Sequence, residues 1–162
     1  MANIPGITMT LLASIVLGGC QFFHSPAQGA ASGVRELGQA NHCGYSGAQL
    51  TLVTDPEDLP SMHGGLHEPL VKALEGGDYV LLVALGQRPT PGYGARLERA
   101  SASAEDRISL QLAATEPDPG SMLAQVITTP CVAMAIPPSG WRSLSVELEA
   151  EGFPLSVSHP QR

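Results

Sequence analysis

The chain has 162 residues, a formal net charge of −7 and a single lysine, Lys72. An acidic chain with no basic run is a poor partner for nucleic acid, and it is not drawn to anionic lipid head groups. Its length suits one domain with a short appendage, enough to bury a real core.

The first nineteen residues, MANIPGITMTLLASIVLGG, carry no charged side chain. Ile7 to Leu17 is an apolar block, too short to span a bilayer and right for the core of a secretory signal. It runs into Leu17-Gly18-Gly19-Cys20, an order that resembles a bacterial lipobox. There the chain is cut before the cysteine, whose thiol receives a diacylglyceryl group. The usual Lys or Arg ahead of the block is missing. The resemblance implies a signal peptide over residues 1–19 and a membrane anchor at Cys20. Gln21 stands where aspartate would hold a Gram-negative lipoprotein at the inner membrane, so the expected location is the outer membrane, facing the periplasm. The alternative is an N-terminal buried helix ending at Gly18-Gly19. Residues 20–42, with much Ser, Gly, Ala and Gln, read as a flexible tether.

Once Cys20 is lipidated, Cys43 and Cys131 remain, in an oxidising setting. They have one internal pairing, and a bridge closing so long a loop contributes roughly 4–5 kcal/mol in the chain-entropy model. Two free thiols are the alternative; a metal site lacks the CxxC spacing.

Within the domain, AQLTLVTD alternates as a half-buried strand. TDPEDLPSM sets Asp55 as N-cap and Pro56 at the first helical position, and Pro60 limits the helix to about two turns. EPLVKALEGG is a second short helix, with Leu70, Val71 and Leu74 on one face and Gly76-Gly77 as its stop. From Asp78 onward the pattern is β. YVLLVAL is apolar throughout, as in a central strand covered on both faces. YGARLER, DRISLQLAAT, MLAQVITT, CVAMAI and RSLSVELE follow as strands parted by turn residues. Residues 43–150 are therefore expected to form a mainly β (α+β) domain. The expected architecture is an antiparallel sandwich or partly open barrel of about six to seven strands, with two short helices near its start. Residues 151–162 read as a frayed tail.

That order of pieces, with DYVLLVALGQRPTPGY followed by TPCVAMAIP, resembles the PrcB C-terminal domain family. The likeness rests on Gly86, Pro89, Thr90, Gly92 and Tyr93, supported by Thr129-Pro130; Pro91 stands where the family's commoner loop has glycine. The resemblance implies a β-rich, non-catalytic domain that associates with or stabilises a protease. A second, weaker likeness is to the wedge loop of chagasin-type protease inhibitors.

Arg88, Pro89, Thr90, Pro91, Gly92 and Tyr93 form the candidate partner-binding loop. Two prolines reduce the freedom lost on binding. Tyr93 shares a face with Ala95 and Leu97, so it is expected to anchor the loop while Arg88 to Pro91 make the exposed contact. Trp141 after PPSG either plugs one end of the sheet or marks a binding surface. His63, His67 and Glu68 have zinc-like spacing, but Gly64-Gly65 breaks the helix that would align the histidines. Ser61 has no GxSxG or SxxK context. No catalytic residue, metal or cofactor is nominated. The expectation is a lipid-anchored accessory protein that binds a protein partner and no nucleic acid, with protease inhibition or a structural envelope role as alternatives.

Overall fold

The computed structural model describes residues 33–61, 65–103, 105–150 and 152–160. The signal, Cys20, the tether up to residue 32, and His63 lie outside them. Two four-stranded sheets face each other. The first has the order β1 (Arg35–Ala40), β6 (Cys131–Ile136), β3 (Tyr79–Leu85), β2 (Ala48–Val53), and the second β4 (Gly94–Ser103), β5 (Arg107–Thr115), β7 (Ser143–Leu148), β8 (Leu155–Ser158). The sandwich is not a closed barrel. Every neighbouring pair is antiparallel except β5–β7, which is parallel because the chain crosses through β6 in the other sheet between them.

The all-apolar β3 is covered on both faces. Tyr79, Leu81, Val83 and Leu85 point between the sheets, where they meet Ile108, Leu110, Leu144 and Val146. Val80 and Leu82 point the other way, onto Leu70, Ala73 and Leu74 of the helix α1 (His67–Glu75). At the same outer face Ala84 packs on Cys43 and Cys131. Strict period-two geometry thus divides one hydrophobic run between two cores.

The helix signals act locally. Asp55 Oδ1 accepts from the Glu57 N–H at 2.9 Å, and Pro56 opens a single 3-10 turn, Pro56–Asp58. α1 tolerates Pro69 because its first-turn N–H groups have no intrahelical partner in any case. The helix ends in a Schellman motif: Gly77 N–H donates to Leu74 O and Asp78 N–H to Ala73 O, at 2.9 and 3.0 Å. Gly77 has φ +88°, a conformation that glycine adopts without penalty.

Three readings are corrected. Arg35–Ala40, placed in the tether, is β1, paired with β6; its charges and the bulge beside Gly38 hide the alternation. Leu155–Ser158, placed in the tail, is β8, whose Leu155 and Val157 cover the edge of β7 in a strand too short to show a period. MLAQVITT is not a strand. Among the described residues, 122–127 have no strand partner, and only Thr128 and Thr129 of the run form isolated bridges.

Trp141 is a core plug. It is 5% exposed, its indole N–H donates to Pro137 O at 2.7 Å, and the His159 ring meets it edge-on at 4.6 Å. The binding-surface reading of Trp141 is therefore dropped. Among the described residues, no helix is long and apolar enough to cross a membrane.

Candidate functional site

Leu85 ends β3 inside the core, and the chain must turn at once. Gly86 makes that turn with φ +76°; a Cβ here would stand 3.1 Å from Ala48 N and 3.2 Å from the Gly47 carbonyl carbon. Both the conformation and the close approach require glycine. Gln87 N–H then donates to Ser46 O at 3.1 Å. Arg88 and Thr128 exchange two main-chain bonds, each 2.9 Å, and the Thr128 hydroxyl donates to Thr90 O at 3.1 Å. Thr128 is 1% exposed, so this staple works away from competing water. Gly92, at φ +99°, brings the loop back against Pro117, whose Cβ would lie 2.9 Å from an added methyl.

Within this frame Pro89 and Gly92 are exposed, while Arg88, Thr90, Pro91 and Tyr93 are half-buried. The Arg88 guanidinium lies 5.9 Å from the Tyr93 ring centroid, a cation–π contact of about 0.5–1 kcal/mol at such a surface. Sequence reasoning put Arg88 in the exposed tip; its side chain instead folds back over Tyr93. Gln87 is the exposed neighbour that was not nominated.

Two crevices flank Arg88. One, about 140 Å³, is lined by Leu85, Tyr93, Glu116 and Glu149. The other, about 310 Å³, is walled largely by Ser46, Gly47, Gly86 and Gly152. The first is well below the roughly 300–1,000 Å³ of small-molecule sites, and the second is at their lower limit.

The rim is fastened to the sheet behind it. Cys43 and Cys131 form a disulfide, with Cα atoms 6.0 Å apart. Between the two cysteines, Thr129 O accepts from Cys43 N–H at 2.9 Å, and the Thr129 hydroxyl accepts from Gly44 N–H at 3.2 Å. Leu85 N–H donates to Pro130 O at 2.9 Å. The Thr129-Pro130 pair thus lies beneath the loop, where it joins β3, β6 and the Cys43 turn. Thr128 escaped sequence reasoning because it lay in a run read as strand, and its partners are 38 and 40 residues away. His67 lies exposed at the start of α1, while His63 falls outside the described residues. Among the described residues, no three His, Cys, Asp or Glu side chains gather around a cation position.

Residues 79–137, from β3 through the loop to the end of β6, match the family model described as PrcB C-terminal. No curated protein and no solved structure matches the chain.

Proposed function

Because residues 79–137 match the family model described as PrcB C-terminal, we propose that the chain is a lipid-anchored, non-catalytic accessory protein of the bacterial envelope that binds an exported protease. One observation carries this reading: the loop after β3 is held in shape by buried Thr128, while Gln87 and Pro89 face outward. A contact surface ordered in advance loses little conformational freedom when a partner docks. The lipobox order at Leu17 to Cys20 supports anchoring through Cys20, with the protein facing the periplasm at the outer membrane.

The test is affinity capture of the tagged full-length chain from solubilised envelopes. Wild type is expected in the detergent phase, and Cys20→Ala in the soluble phase or as unprocessed precursor. The double variant Gln87→Ala, Pro89→Ala should keep its stability within about 0.5 kcal/mol, as surface changes do, yet recover less protease. A cytoplasmic wild type, or protease recovery unaffected by the double variant, overturns the reading.

A further inference from the structure

Gly33, the first described residue, lies against Pro137: a Cβ built on it would stand 3.7 Å from the proline ring. Arg35 then opens β1 opposite Ala135. Near the other end of the chain, His159 N–H donates to Arg142 O at 2.8 Å, and its ring nitrogen Nε2 lies 3.1 Å from Pro138 O. Both described ends therefore leave the domain beside the Pro137-Pro138 corner. The candidate loop is at the opposite pole. β3 begins with Tyr79 opposite Ile136 and runs out into Gly86 and Arg88, so its length sets the two poles about 20 Å apart at the rise of a strand.

Charge divides in the same way. At the pole of the chain ends, Arg35 is paired with Asp78 at 2.7 Å, Arg142 with Asp106 at 3.3 Å, and Arg107 with Glu105 at 3.7 Å. At the pole of the loop, Glu116, Asp118 and Glu149 are exposed, and among the described residues none has an ion-pair partner. Glu116 and Glu149 line the crevice beside Arg88, and Asp118 follows the Pro117 that lies against Gly92.

We infer that the anchored domain carries the candidate loop at its membrane-distal pole, and that its partner is a water-soluble exported protein met clear of the bilayer. A lipid at Cys20 draws the pole of Gly33 toward the surface. The unpaired carboxylates of the other pole are repelled by anionic head groups within a Debye length, about 8 Å at physiological salt. A partner embedded in the same membrane would lie on the side from which the loop is turned away. The same geometry makes the anchor exchangeable, since one attached after Arg162 holds the domain by the same pole. The inference rests on the anchoring and protein-binding readings above.

The first test needs no partner. The full-length lipidated chain, with a coumarin amino acid in place of Gln87 or of Ser139, is bound to vesicles of phosphatidylethanolamine and phosphatidylglycerol that contain a rhodamine-labelled lipid. Ser139 is exposed in the turn at the pole of the chain ends. Energy transfer to the lipid should be stronger from Ser139 than from Gln87; equal transfer, or stronger transfer from Gln87, overturns the orientation. In the second test, a cleavable secretory signal replaces residues 1–20 and a transmembrane helix follows Arg162. This chain should capture protease in exporting cells as well as wild type does, and loss of capture at unchanged melting overturns the inference. If it does not fold, the vesicle comparison decides. In the third, the chain is exported with the cleavable signal and no anchor, and the protease that it captures should partition into the aqueous phase. Protease in the detergent phase overturns the soluble partner. A wild type that does not bind vesicles removes the anchoring reading, and one that binds them but captures no protease removes the protein-binding reading alone.

Discussion

Replacing Cys43 and Cys131 together by alanine should lower the unfolding free energy by roughly 4–5 kcal/mol, a third or more of the stability of a typical domain. The bond closes a loop with a sequence separation of 88, and chain-entropy stabilisation grows with the logarithm of that length. It joins the turn after β1 to the first residue of β6, the strand with which β1 pairs. Both cysteines are 1% exposed against Ala84, and alanine keeps that pocket apolar where serine would bury a hydroxyl. Urea unfolding with linear extrapolation measures the loss, and a fall in the midpoint at constant slope assigns it to stability. A cost below about 1 kcal/mol would show that the loop entropy is already restricted in the unfolded chain.

The second large effect is at Trp141. Truncation to alanine should cost about 3–5 kcal/mol, as for other buried aromatics. The lost indole also leaves Pro137 O without its donor and His159 without the ring that it meets edge-on. Trp141→Phe should restore most of the packing while leaving Pro137 O unpaired, a residual cost of about 1 kcal/mol. The same unfolding measurement separates the two. If Trp141→Ala is nearly neutral, Trp141 does not close the core.

Local chemistry made much of this fold legible. The Asp55-Pro56 start, the Gly76-Gly77 stop and the two-sided burial of YVLLVAL all follow from interactions within a few residues or from strand period. β1 and β8 were hidden for a different reason. Each is short, and each takes its place from the partner it covers, which no local pattern records. MLAQVITT shows the reverse case, strand propensity with no partner strand within the described residues. At the candidate site, Gly86 and Gly92 stand out in the sequence through the family resemblance, and both adopt positive φ. The staple from Thr128 could not, since it depends on two distant segments meeting, and that meeting also turns Arg88 back onto Tyr93.

An accessory role and an inhibitory one make opposite demands on the bound protease, so its thermal inactivation and its turnover should be followed together. Purified lipid-free chain is added to the captured protease at rising concentration. A partner that binds only the native protease stabilises it by about 2.7 kcal/mol at a hundred times Kd. The predicted result is a longer half-life at elevated temperature with the hydrolysis rate unchanged, lost with Gln87→Ala, Pro89→Ala. Inhibited hydrolysis, or a half-life that the chain does not alter, would contradict it.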